Sequence, residues 1–323
     1  MITMEDMNDA AFNPVIKVIG VGGAGSAILW RLVEDKVESV KLVAVNTNQR
    51  TLSDLQRLGA DIVNIGGDLT KGLGTGGNPN LAEKAALQNV STLQDIMYAT
   101  DLVFITAGLG GGVGSGATPV IAKIAKESGV LSIGVVTLPF TFEGRRRQRI
   151  AQESIAMMKD YFDALIVIKN DSLLELDSSK KLSVEDAFKA SDSILRQGIQ
   201  LISDLVLMSG TINIDFADLK TILRQCDKSD AILGIGESHE GKAVEAVKNA
   251  IASPLLGRDL KGAKGIILNI VGYKNMELGE VNDIVEYIIK LSNPDVNIIF
   301  GLNLSQSDED KTIRIMLIAT DFD

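Results

Sequence analysis

Short apolar runs alternate with amphipathic stretches through the first half of the chain. "VIKVIG" (Val15–Gly20), "VKLVAVNT" (Val40–Thr47), "ADIVNIG", "DLVFITA" (Asp101–Ala107), "LSIGVVTLP" and "ALIVIKN" (Ala164–Asn170) are rich in β-branched residues, as strands covered on both faces are. Between them "GSAILWRLVED", "TLSDLQRLG", "NLAEKAALQNVSTLQDIMYA" and a stretch from about Arg145 to Phe162 read as helices. This alternation predicts an α/β fold with a doubly wound parallel sheet. A long helix follows. Ser183 and Asp186 form a capping box at its start, and Ala187, Ile194, Leu195, Ile199, Ile202, Leu205 and Val206 continue a helical stripe to about Met208, ending at Gly210. The last hundred or so residues have another rhythm. "AILGIGES", "GIILNIVGY", "NIIFGLNL" and "RIMLIATDF" read as strands, "KAVEAVKNAIAS" and "LGEVNDIVEYIIKLS" as helices, and together they predict a smaller α+β domain with a mixed sheet. The expected organisation is a flexible N-terminus (1–14), a ligand-binding domain (15–182), a central helix (183–210) and a C-terminal domain (211–323).

Composition narrows the chemistry. The chain has 323 residues and net charge −10, which argues against nucleic acid as a main partner. Arg145–Arg147 is its only basic cluster. Cys226 is the single cysteine and His239 the single histidine, so an intrachain disulfide, a zinc site and a Ser-His-Asp triad are excluded or nearly so. His239 reads as a surface loop residue. No apolar run reaches the roughly 18 residues of a membrane span, and the acidic start is not a signal peptide, so a cytoplasmic protein without direct membrane insertion is expected.

Ligands of such sheets sit beyond the carboxyl ends of the strands. Three glycine-rich segments fall there: "GVGGAGS" (Gly20–Ser26), "KGLGTGGNPN" (Lys71–Asn80) and "GLGGGVGSG" (Gly108–Gly116). Strand, glycine loop and helix start aim backbone N–H groups and a helix dipole at an anion, with Pro119 read as lying near the helix start. Three such loops suit a ligand with several phosphates. No Walker sequence is present, so backbone amides cradle the phosphates and Mg2+ neutralises the remaining charge. "TLPFTFEGRRR" and "KNDSLLEL" complete the edge, the latter offering Asn170 and Asp171.

"GGGVGSG" (Gly110–Gly116), "PFTFEGRRR" and "NIDFADLKTIL" (Asn213–Leu223) together resemble the FtsZ family, the bacterial relatives of tubulin that polymerise with GTP, and the resemblance runs from about Val15 to Phe322. It implies that Gly22, Gly23, Ala24, Gly25 and Ser26 line the α/β-phosphates of GTP or GDP, and that Gly111, Gly112, Val113, Gly114 and Ser115 wrap them from the other side. Glu143 is implied to bond the ribose and Arg147 to reach the sugar and phosphates. Asn170 and Asp192 are implied to read the guanine edge, with Phe188 stacking on the base. A carboxylate suits guanine, which presents adjacent N1–H and N2–H donors.

Asp215 and Asp218 sit three residues apart on a helical turn, and Asp215 is placed to cap the helix "ADLKTILRQ". The resemblance makes this the synergy loop, which enters the pocket of the next subunit, where Asp215 and Asp218, positioned by Asn213, polarise the attacking water. It implies a head-to-tail homopolymer that hydrolyses GTP at its interfaces, a division ring at midcell, and ring accessory and membrane-tether partners, the tether peptide itself not being in this chain. Val113 stands where the family usually has threonine, Ala24 where it has glycine, Asn48 where aspartate is common, and Ser26 and Ala27 where asparagines are frequent. One alternative is therefore an assembly scaffold that binds GTP with little hydrolysis. The other, an NAD-dependent oxidoreductase using Gly20–Gly25, is disfavoured because "AVNTNQ" offers no acid for the ribose.

Overall fold

The structure, a computed structural model, describes residues 14–35, 37, 40–173, 183–207, 210–224, 229–253, 255–305 and 311–322. Residues 1–13 of the expected flexible N-terminus, Cys226, Met208 and the side chains of Ile202, Leu205 and Val206 lie outside what is described. The first half runs β1 (Ile16–Val21), α1 (Gly22–Glu34), β2 (Lys41–Asn46), α2 (Gln49–Arg57), β3 (Asp61–Asn64), α3 (Gly67–Thr70), α4 (Pro79–Leu87), α5 (Val90–Met97), β4 (Leu102–Gly108), α6 (Gly112–Glu127), β5 (Leu131–Leu138), α7 (Arg145–Met158), β6 (Ala164–Lys169) and α8 (Asn170–Leu173). The rest runs α9 (Val184–Leu207), α10 (Phe216–Arg224), β7 (Asp230–Ser238), α11 (Ala243–Ile251), β8 (Ala263–Gly272), α12 (Leu278–Leu291), β9 (Asn297–Leu304) and β10 (Ile313–Phe322).

The described strands lie in one order, β3-β2-β1-β4-β5-β6-β7-β10-β8-β9. The first six are parallel, and the order reverses between β1 and β4, the place where a doubly wound sheet opens a crevice. The C-terminal strands extend the same sheet through a short parallel join in which Leu165 and Ile166 of β6 meet Asp230 and Ala231 of β7. Beyond it β10 pairs antiparallel with β7 and β8, and β8 pairs parallel with β9, a mixed arrangement. One apolar layer covers each face of the parallel half, and a third fills the C-terminal half. Ile194, Leu195 and Ile199 of α9 bury their apolar stripe in the layer that also holds Ile133 and Val135 of β5 and Leu233 of β7. The long helix thus packs against both halves.

Two helices depart from the pattern read in the sequence. The single helix expected from Asn80 to Ala99 is two, α4 and α5. The break is at Asn89, whose Nδ2 donates to the Ala85 carbonyl at 2.8 Å, a side chain competing for the backbone's own bond. The other is α6, which begins at Gly112 and contains Pro119 rather than starting near it. Proline leaves the carbonyl four residues earlier without its helical partner. That carbonyl belongs to Ser115, and the Ser154 hydroxyl of α7 donates to it at 2.8 Å. Among the described residues no helix is long and apolar enough to cross a membrane.

Candidate functional site

At the carboxyl ends of β4, β5 and β6 the structure holds a cavity of about 340 Å3. Helices α1 and α6 both start at it, and neither has a side-chain cap: Val21 and Gly111 occupy the N-cap positions without a side-chain hydrogen bond. Their first N–H groups and positive dipole ends are available to an anion. Gly23 and Ala24 of α1 and Gly111, Gly112, Val113 and Gly114 at the start of α6 line the cavity. The absence of side chains there is steric. A methyl group on Gly114 would stand 2.3 Å from the Gly108 carbonyl oxygen, and Gly22 has a φ of +73°.

The other end of the cavity is built from side chains. Phe188, in α9, stands 41% exposed at the rim. Its ring meets Phe140 edge-on at 5.2 Å, and Phe140 stacks on Phe142 at 5.0 Å, so a flat ligand finds a propped aromatic face. One turn on, the Asp192 carboxylate accepts from Arg31 Nε of α1 at 3.2 Å. Burial pushes the Asp192 carboxyl above the usual aspartate range, while the Arg31 hydrogen bond and charge pull it back. Buried Asn170 has its Oδ1 held by the Ser191 hydroxyl at 2.8 Å. Glu143 is fixed on both sides: the Phe140 N–H donates to Oε1 at 2.9 Å and Arg147 Nη1 to Oε2 at 2.5 Å.

Eleven of the fifteen residues expected to bind nucleotide therefore line one cavity: Gly23, Ala24, Gly111, Gly112, Val113, Gly114, Glu143, Arg147, Asn170, Phe188 and Asp192. Gly22, Gly25, Ser26 and Ser115 do not, and their contacts are structural. Gly25 lies against Gly20 and the Thr106 carbonyl, the Ser26 hydroxyl donates to the Gly22 carbonyl at 2.7 Å, and the Ser115 hydroxyl accepts from the Gly110 N–H at 2.8 Å. Asn48 caps α2, accepting from Arg50 and Thr51 N–H groups, and so takes no part in the lining. Thr75, Gly76 and Gly77 of the second glycine loop line the cavity, as do Thr137, the first residue of the "TLPFTFEGRRR" edge segment, and Ser191, which nothing in its own sequence neighbourhood marks. Asp171 is turned outward, accepting from the N–H and hydroxyl of Thr141. Among the described residues no group of three or more His, Cys, Asp or Glu is placed to hold a metal ion.

Asn213, Asp215 and Asp218 are elsewhere. Helix α9 begins at the cavity and spans 24 residues, roughly 36 Å of rise, before the chain reaches them. There Ile212 forms an antiparallel bridge with Leu302 of β9, and buried Ile214 anchors the turn. Asp215 Oδ1 accepts from the Ala217 N–H at 3.0 Å and caps α10, while Asn213 Oδ1 accepts from the Gly210 N–H at 2.5 Å. Helix α10 then runs to Arg224, whose Nη2 donates to the Gly129 carbonyl just before β5, at the end of that strand opposite the cavity. Asn213, Asp215 and Asp218 are exposed to solvent.

Family models match most of the chain. Residues 15–178 match the tubulin/FtsZ family GTPase domain, and residues 229–323 match the C-terminal domain of the FtsZ family. Among solved structures, an empty FtsZ dimer from M. jannaschii is 37% identical over 99% of this chain and 92% of its own, with a TM-score of 0.89. CetZ2 from Haloferax volcanii, in a GTPγS-bound protofilament, is 22% identical over 96% of this chain and 93% of its own, with a TM-score of 0.79. CetZ from Methanosaeta thermophila is 18% identical, covering 95% and 86%, with a TM-score of 0.78. The two CetZ likenesses speak to the fold alone.

Proposed function

The chain belongs to the tubulin/FtsZ family of GTPases, and from that premise we propose that it is a GTP-dependent filament protein whose hydrolytic centre is shared between stacked subunits. The observation that carries this reading is the separation of the pocket from the acidic loop along α9. Among the described residues the carboxylates that line the cavity, Glu143 and Asp192, are each paired with an arginine, and the three exposed polar groups of the acidic loop have no substrate of their own beside them.

In this reading the phosphates lie on the N-termini of α1 and α6. Asp192 accepts the N1–H and N2–H of guanine, Phe188 packs on the base, and Asn170 bonds its edge. Glu143 and Arg147 meet the sugar and phosphates. Mg2+ would be held by the nucleotide's phosphates and would neutralise charge that no lysine of the cavity lining meets. Asp215 and Asp218 of the next subunit, positioned by Asn213, orient a water on the γ-phosphorus. The water oxygen bonds to the γ-phosphorus as the bond from it to the β–γ bridging oxygen breaks; GDP leaves with the electron pair, the water's proton passes to a carboxylate, and inorganic phosphate is the other product. The contact is heterologous and does not close, so it propagates as a filament. The M. jannaschii relative was solved as a dimer and the Haloferax relative as a protofilament, which supports self-association. The cellular role proposed is a ring at the division septum, in the cytoplasm at midcell, tethered by accessory proteins.

The test is phosphate release per chain against protein concentration, paired with sedimentation. A shared centre requires turnover per chain to rise with concentration and to track the pelleted fraction. A rate per chain that stays flat overturns the shared centre. Filaments that pellet with GTP but release no phosphate favour the scaffold reading, which the methyl groups of Val113 at the start of α6 keep open.

A further inference from the structure

Resting on the guanine-nucleotide reading above, we infer that Ser191 is a positioning residue for base specificity: its hydroxyl holds the Asn170 amide with the nitrogen turned to the cavity, towards O6 of guanine. Ser191 and Asp192 lie three and four residues after Phe188 in α9, so the three share one face of the helix, and all line the cavity. Ser191 is buried. A serine inside a helix commonly turns its hydroxyl back to the carbonyl four residues before it. Ser203 of the same helix does so, donating to the Ile199 carbonyl at 2.8 Å. Ser191 instead donates to Asn170 Oδ1 at 2.8 Å, reaching across to the residue that follows β6. Among the described residues no other group bonds the Asn170 side chain.

An asparagine amide fits its site about equally well in two orientations related by a half-turn, and hydrogen bonds decide between them. With Oδ1 taken by Ser191, Nδ2 points the other way. It has no partner among the described residues, yet it is not one of the side-chain atoms sealed in the interior, so it opens to the cavity that Asn170 lines. The base end of the cavity therefore carries a donor, Asn170 Nδ2, together with an acceptor, the Asp192 carboxylate. Guanine presents the complement, an O6 acceptor next to N1–H and N2–H donors. Adenine presents the reverse at the same positions, an amino group and a bare N1. A group fixed as a donor rejects the wrong base, because the mismatch leaves polar groups unpaired. Without the Ser191 hydroxyl the amide is free to turn its oxygen to the base, and that half of the selection is lost.

The experiment titrates the full chain, Ser191→Ala, Asn170→Ala and the double variant with four nucleotides. They are GDP, ADP, inosine diphosphate, which lacks only the 2-amino group, and 6-thioguanosine diphosphate, which replaces only O6 by a weakly accepting sulfur. The unsubstituted chain is expected to bind GDP more tightly than the other three. Ser191→Ala is expected to weaken GDP binding about five- to tenfold and to shrink the preference for GDP over the thio analogue by the same factor. The preference over inosine diphosphate, set at Asp192, stays as it was. Adding Ser191→Ala to Asn170→Ala costs nothing further. An unchanged thio preference in Ser191→Ala overturns the inference. So does a loss shared equally by GDP and both analogues, or one of the same size in the Asn170→Ala background, since each would make Ser191 a packing residue. An unsubstituted chain that binds none of the four, or binds ADP as well as GDP, overturns the guanine reading itself, a separate result.

Discussion

On the proposed reading, Asp192 is a side chain that carries specificity for guanine. It is a half-buried carboxyl in a pocket wall, raised by desolvation and held partly in check by Arg31. Lys189 and Arg196 share its helix, Arg196 pairs with Asp35, and Glu143 and Arg147 line the same cavity. Guanine donors favour the ionised carboxyl, so binding lowers its pKa, and affinity is full above the free-state pKa. As pH falls through that raised value, affinity drops, and the decline begins at higher pH than an ordinary aspartate would give. Asp192→Asn is expected to weaken GDP binding about 10- to 100-fold at neutral pH and to flatten the acid side of the profile. Calorimetric titration of GDP at several pH values checks it, and a variant that keeps the wild-type slope excludes Asp192 as the titrating group. Asp192 and Phe188 were legible only through resemblance, since in the bare sequence Asp192 is one more acid on an amphipathic helix, whereas Asn170 already stood out as a polar group at a strand tip. Thr75 was read as part of a glycine loop and given no role, because nothing in the chain says what faces a loop.

At the scale of elements, the strands were legible almost to the residue, because apolar β-branched runs between turn signals admit few other readings. The glycine segments were placed correctly but given the wrong conformation. Gly22–Ala24 and Gly112–Gly116 belong to the first turns of α1 and α6, not to loops preceding them. Glycine's poor helix propensity hides such starts. Here tertiary packing overrides it: the helices approach other backbone so closely that only glycine fits, as at Gly116, where a methyl would lie 2.0 Å from the Pro79 carbonyl oxygen. Pro119 was misread for the same reason, and its position deeper in α6 depends on Ser154, which bonds the Ser115 carbonyl from 39 residues further along the chain. Ser154→Ala leaves the buried Ser115 carbonyl unmatched and is expected to cost about 1–3 kcal/mol of folding stability. Because Ser115 sits at the cavity end of α6, where the proposed reading places the phosphates, nucleotide affinity should fall with it. Urea unfolding with and without GDP measures both. A loss well under 0.5 kcal/mol would mean that α6 does not need that hydroxyl.

The molecule as a whole is polar in function: a cavity at one end of α9, an acidic loop at the other, and a continuous sheet holding the two apart. On the proposed reading neither end works alone, and this can be tested without knowing the filament's geometry. Asp215→Ala removes the carboxylate and leaves the cavity intact. Gly112→Val fills the cavity from within, since its first side-chain carbon already collides with Thr75 Oγ1 and comes within 2.9 Å of the Asn78 backbone nitrogen, while leaving the loop untouched. Each variant alone should hydrolyse GTP hardly at all, the first because its neighbours bring no Asp215, the second because it holds no nucleotide. Mixed in equal amounts, they form some contacts in which a competent cavity meets a competent loop. With random heterologous pairing about one contact in four is of that kind, so recovery is bounded near a quarter of the unsubstituted rate. Recovery must also vanish on dilution below the concentration at which chains associate. A mixture as inactive as its parts, with both variants folded and Asp215→Ala still binding GTP, would mean that the two ends of α9 do not complete one another across the contact.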